Sequence, residues 1–214
     1  MKQTLGAYLR SLGKDPEALW KKIEDSIASV YRAKADMIGK FASGFDTTRH
    51  FFEMVRFDFV VDEDLDIFLM EANMSPNLSS LHFAPNKLLY EQVIYNALSL
   101  AGIAQTLHVH NWMDRKEESW NFMVNDMDLA VYPDICSSKD CHLSCQNEKC
   151  RVCLYCLGPK TRTTLKDASI EHLSRWNTKR IIPSSRQPVI ESEEDKIQNL
   201  WFQGKCLQDI TWCS

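Results

Sequence analysis

Two runs of strand-forming residues, set either side of a short acidic segment, constrain this chain more than any other feature. Phe51 to Val61 and Ile67 to Ala72 are rich in aromatic and branched side chains, which suit a pleated, half-buried surface. Asp62-Glu63-Asp64-Leu65-Asp66 lies between them and predicts a tight reversal, hence an antiparallel hairpin. Oxygen-bearing side chains break the apolar pattern at Asp58, Glu71 and Asn73. Residues an even number apart on a strand share a face, so Glu71 and Asn73 project the same way as the second strand ends. Asp58 and Glu71 lie symmetrically about residues 64 and 65, so a hairpin closing there pairs them and gathers all three side chains on one patch.

Two carboxylates and an amide oxygen form a hard, all-oxygen set that suits Mg²⁺ rather than a soft metal. Magnesium takes one or two protein carboxylates and completes its shell with waters and substrate phosphates. The trio therefore predicts a nucleotide phosphate nearby, although the chain carries no phosphate-binding glycine loop. The competing reading has Asp58 and Glu71 facing solvent at a sheet rim while Asn73 makes a turn.

Helical signals flank the hairpin. Asp15-Pro16-Glu17 reads as an N-cap, a proline at the first helical position and an acid in the first turn. Leu19, Trp20, Ile23, Ile27, Val30 and Tyr31 then recur at helical spacing as one buried face. Asn73 to Pro85 lacks a period and predicts a loop. Asn86 to Gly102 returns to helical spacing and ends at a glycine. Farther on the pattern weakens, and Ser192 to Trp201 reads as a short helix with acids in its first turn. The order helix, strand, strand, helix predicts an α+β fold with an antiparallel sheet covered by helices.

A formal charge of −4 argues against nucleic acid as a partner, since phosphate backbones are met by basic surfaces. No stretch approaches the roughly 20 apolar residues of a membrane span, and the first residues lack a signal-peptide apolar run.

The cysteines are confined to the second part of the chain. Six fall at Cys136, Cys141, Cys145, Cys150, Cys153 and Cys156, and two more at Cys206 and Cys213. Cys150-x-x-Cys153-x-x-Cys156 gives one half of a zinc-type arrangement, with His142 as a further ligand. An even number clustered in a loop-rich segment equally fits disulfides, which would place the chain in a secretory lumen; unlinked thiols are the third reading. Asn77-Leu78-Ser79 is formally a glycosylation sequon. His108-x-His110 is read as exposed or core histidines rather than a metal pair.

The run FFEMVRFDFVVDEDLDIFLMEANMSP resembles the metal-binding hairpin of the tubulin–tyrosine ligase-like family, an ATP-grasp fold with the pattern F-E-L-x-G-x-D, an acidic turn, then W-L-L-E-V-N-x-S-P. The matching residues are Phe52-Glu53-Met54, Asp58 and Leu69-Met70-Glu71-Ala72-Asn73-Met74-Ser75-Pro76. Arg56 replaces the glycine before the Asp, Ala72 the valine, and Phe68 stands near the tryptophan. Glu171-His172-Leu173-Ser174-Arg175 through Arg180-Ile181-Ile182-Pro183 is similar to the family's E-x-x-R-R-G-x-F-x-x-I-F-P.

The resemblance implies that Asp58, Glu71 and Asn73 hold Mg²⁺ on the phosphates of ATP. It implies an ATP-dependent ligase that adds glutamate, tyrosine or glycine to a carboxylate of tubulin or another acidic protein, through an acyl phosphate. It also implies a cytoplasmic, cytoskeleton-associated setting. Residues 1–104 would be the C-terminal part of the ATP-grasp domain and residues 105–214 a Cys-rich, loop-rich tail, with the phosphate-gripping lysines and adenine hinge upstream of Met1. The alternative is a truncated, non-catalytic interaction module derived from such a ligase. A secreted, disulfide-stapled binding protein would require the hairpin match to be coincidental.

Overall fold

Capping chemistry sets where the first helices begin and end. In the computed structural model, which describes residues 2–45, 51–81, 83–103, 124–183 and 193–213, helix α1 spans Lys2–Ser11 and α2 spans Pro16–Ala42. Gly13, at φ 72°, takes the left-handed conformation that separates them. Asp15 then caps α2, its carboxylate accepting the Glu17 amide at 2.9 Å. Of the expected apolar face, Leu19 is fully buried along with Ala28, while Trp20, Ile23, Ile27 and Val30 are half-buried.

Strands β1, Arg56–Val61, and β2, Ile67–Asn73, form the expected antiparallel hairpin. The Asp62 carboxylate closes the reversal by accepting the amides of Asp64 at 3.0 Å and Asp66 at 2.8 Å. From α2, Lys22 donates to the Leu65 carbonyl at 2.9 Å and the Asp66 carboxylate at 2.8 Å. Tyr31 of α2 meets Phe57 with ring centroids 6.5 Å apart. These contacts all lie within the first of two units into which the chain divides, Met1–Ser79 and Ser80–Ser214.

The second unit opens with helix α3, Lys87–Leu100, which ends before Gly102 at φ 75° as the pattern predicts. Short turns α4, Pro133–Cys136, and α5, Lys139–Leu143, precede two longer helices, α6 at Pro159–Leu173 and α7 at Glu193–Gln208. The segment expected to be loop-rich thus carries a packed core. Val124, Leu129, Val131, Val152, Leu165, Ile170, Trp201, Phe202 and Trp212 are buried together, and the Trp201 indole donates to the Leu129 carbonyl at 2.9 Å. Asp126 ties α6 to the preceding turn through Arg162 at 2.9 Å and Lys166 at 2.7 Å.

All eight cysteines are paired: Cys136–Cys153, Cys141–Cys150, Cys145–Cys156 and Cys206–Cys213. The zinc and free-thiol alternatives therefore give way to disulfides. His142, offered as a zinc ligand, instead stacks on Tyr155 with centroids 4.6 Å apart. The His108-x-His110 pair lies outside the described residues. Among the described residues, no helix is long and apolar enough to cross a membrane.

Candidate functional site

The hairpin register determines what Asp58, Glu71 and Asn73 can do. Asp58 lies directly opposite Glu71, and Arg56 directly opposite Asn73. Strand alternation puts all four side chains on one face. Phe57 belongs to the other face, the one that meets Tyr31 of α2, so the oxygen-bearing face turns away from that helix. The three predicted ligand residues are therefore brought together, and all three retain access to solvent.

Just beyond the acids the register slips. Phe59 pairs with Leu69, leaving Met70 without an opposite residue. Such bulges bend a strand and re-aim its side chains, and they concentrate beside functional sites. Ile67-Phe68-Leu69-Met70 is apolar at every position, so no break in an alternating pattern marks this bulge in the sequence.

Arg56, which stands where the related pattern has glycine, is engaged with the acids themselves. Its guanidinium grips Asp58 with both prongs, Nε to Oδ1 at 2.8 Å and Nη2 to Oδ2 at 2.9 Å. It also reaches to 3.7 Å from Glu71. Hydrogen bonding from Arg56 holds the Asp58 carboxyl below its ordinary value, so Asp58 is ionised throughout the neutral range. Asn73 Oδ1 accepts the Ser75 amide at 3.1 Å, which fixes the amide group where the chain leaves the sheet.

In donor type, two adjacent carboxylates and an amide oxygen fit a magnesium ion. The guanidinium occupies the same carboxylate oxygens, so a metal here competes with Arg56 or joins it around a phosphate. In either case the face presents fixed anionic oxygens beside one fixed cation.

The stretch from Glu171 to Pro183 has a different location, inside the second unit. Arg175 donates to the Thr211 carbonyl at 3.0 Å and Arg180 to the Trp212 carbonyl at 2.7 Å, so both satisfy backbone oxygens near the chain's end. Arg180 also lies 3.7 Å over the Phe202 ring, and burial lowers its pKa to about 10. His172 stacks on Trp212 with centroids 3.7 Å apart. Trp176 falls where the related pattern has glycine, and its φ of 44° keeps the left-handed backbone that glycine adopts freely. These side chains hold the fold together.

Comparison with known proteins bears on this geometry. The sequence model of the family described as "Tubulin-tyrosine ligase family" matches residues 2–111. A Caenorhabditis elegans protein, "Probable tubulin polyglutamylase ttll-15", is 35% identical over 214 residues, 99% of this chain and 42% of that protein. The chain thus spans about two fifths of the length of that relative. No solved structure matches.

Proposed function

The chain belongs to the tubulin-tyrosine ligase family, and from that premise we propose that it supplies the magnesium-binding portion of an ATP-dependent protein–amino-acid ligase. In this reading residues 1–104 are the C-terminal part of an ATP-grasp domain and residues 105–214 a Cys-rich tail. The observation that carries it is the pairing of Asp58 with Glu71, with Asn73 two residues on along the same face.

In the proposed reaction an acceptor carboxylate oxygen attacks the terminal phosphorus of ATP, ADP leaves, and an acyl phosphate forms. The amino group of a free amino acid then attacks the acyl carbon, the carbon–oxygen bond to phosphate breaks, and the nitrogen loses a proton. Asp58, Glu71 and Asn73 would hold the magnesium, which neutralises charge on the phosphates when bound. The chain's own residues orient the donor oxygens. Strand pairing fixes the two carboxylates, the Ser75 amide fixes Asn73, and Arg56 adds a planar cation of the kind that matches phosphate oxygens. Tubulin is named for the worm relative and is the first acceptor to assay here.

Glu71→Gln preserves the shape of the side chain and removes a charge from the phosphate site. In the complete polypeptide we expect it to abolish incorporation of labelled glutamate, tyrosine or glycine into protein while leaving the melting temperature unchanged. Ligation that continued at the wild-type rate would refute the assignment. A non-catalytic interaction module is the second reading, favoured by the two-pronged grip of Arg56 on Asp58. It predicts that wild type and Glu71→Gln are equally inactive.

A further inference from the structure

The cysteine-rich segment is cross-linked by three disulfides within 21 residues, Cys136 to Cys156. Between residues 133 and 156 the regular elements are α4, α5 and single 3₁₀ turns of three to five residues, far below the length at which a helix persists alone. Besides the bridges they are held by Val152, which enters the main core, by the Arg151–Glu193 ion pair at 2.7 Å and by Tyr155 donating to the Cys136 carbonyl at 2.8 Å. Cys141–Cys150 is nested within Cys136–Cys153, and Cys145–Cys156 crosses both. Cys141, Cys150 and Cys153 are at most 2% exposed and form a small core of their own, with Ile135, Cys136 and Cys156 against it. The fourth bridge, Cys206–Cys213, draws the 3₁₀ turn Ile210–Cys213 back onto α7, where Trp212 enters the main core.

No cysteine is left unpaired, so none is held in reserve as a nucleophile or as a resolving thiol. Four structural bridges of this kind belong to an oxidising compartment, because cytosolic thiol systems keep such cysteines reduced. Tubulin is a cytosolic polymer, and a chain that folds in the cytosol would not keep this segment.

We propose that the polypeptide matures with all four bridges in an oxidising compartment, the secretory lumen or the space outside the cell. We infer further that the carboxylate it ligates belongs to a lumenal or secreted protein rather than to tubulin. The second half rests on the ligase reading above; the first does not. The chemistry asks of that compartment only ATP, magnesium and a free amino acid, together with a protein carrying accessible Asp, Glu or C-terminal carboxylates.

The test uses the complete polypeptide, tagged and expressed in animal cells. Thiols are trapped with a mass-tagged maleimide before lysis, with and without prior reduction, and sealed microsomes are treated with protease. The expected result, read by peptide mapping, is that the eight cysteines from Cys136 to Cys213 are labelled after reduction and not before, with the 124–213 region protected until detergent is added. Labelling of the cysteines without reduction, or digestion in sealed vesicles, overturns the compartment. For the acceptor, wild type and Glu71→Gln are incubated with ATP, magnesium, labelled glutamate, tyrosine or glycine, and either purified tubulin or secreted protein. Wild-type label in secreted protein alone supports the proposal. Label in tubulin that Glu71→Gln loses overturns the proposed acceptor and upholds the ligase. No label in either, with wild type and variant alike, removes the ligase reading and the acceptor with it, and the thiol and protease results alone then decide the compartment.

Discussion

Arg56 and His172 show how single side chains set the chemistry of their surroundings. Arg56 holds Asp58 and approaches Glu71 at the position where the related pattern has glycine, so it competes for the oxygens a cation would use. Arg56→Gly should therefore tighten Mn²⁺ binding, read by water-proton relaxation, by a few-fold, in keeping with the modest strength of solvent-exposed ion pairs. Unchanged or weaker binding would mean that the guanidinium does not contend for the metal. His172 is 6% exposed, and Arg175 donates to its Nε2, a contact that requires the neutral ring. Burial first, then Arg175 and Arg180, with Asp209 opposing and Lys205 adding least, lowers its pKa from 6.5 to about 4. Because the folded value is depressed, the unfolded chain takes up the proton more readily. The contribution to stability is complete above pH 6.5 and is lost as pH falls toward 4. Urea melts at pH 7 and pH 5 should show wild type losing more stability than His172→Gln; parallel losses would count against this account.

At the scale of elements, α7 packs tightly against Val131 and Tyr132 at Gly204. A Cβ there would sit 2.7 Å from Val131 Cβ and 2.9 Å from a Tyr132 ring carbon. The Val131 atom is fixed to the backbone and cannot swing aside. Gly204→Ala gains about 1 kcal/mol in helix propensity but overpacks a filled contact, which costs typically 1–3 kcal/mol. The expected outcome is a net loss of about 1 kcal/mol in unfolding free energy, read from urea melts, and a more stable variant would show that the contact yields. Helix α6 was invisible in the sequence for a related reason. Thr161, Thr163 and Thr164 weaken helical propensity, and Leu165, Ala168 and Ile170 are too sparse to mark a period. The core they enter, beside Trp201 and Leu129, and the ion pairs of Arg162 and Lys166 with Asp126 secure that helix. In the hairpin, symmetry about the acidic turn predicts the pairing of Asp58 with Glu71 correctly, yet Met70 shifts every pair nearer the turn by one.

At the scale of the whole molecule, the distribution of burial is uneven. Among the described residues, the first unit buries few large side chains, chiefly Leu9 and Leu19, while the main core lies between Val124 and Trp212. The bridges span sequence separations of 17, 9, 11 and 7 residues. On a chain-entropy account each contributes about 2–3 kcal/mol, and together they match the net stability of an ordinary domain, roughly 5–15 kcal/mol. Full reduction should therefore abolish hydrogen-exchange protection around Trp201 and Leu129. Protection that survived in fully reduced protein would show the core to be self-sufficient.

Local patterning by itself determined the Asp15 cap, the hairpin, its acidic reversal, helix α3 and the gathering of Asp58, Glu71 and Asn73. Each of these depends on spacing within a few residues or on symmetry about one turn. Tertiary structure alone decided which cysteines join, since eight allow 105 pairings and spacing favours none of them. It also decided that Arg56 turns back onto the acids, that a bulge follows them, and that the cysteine-rich half contains the core. Those outcomes depend on side chains distant in sequence competing for the same space and the same partners, and no local period records that competition.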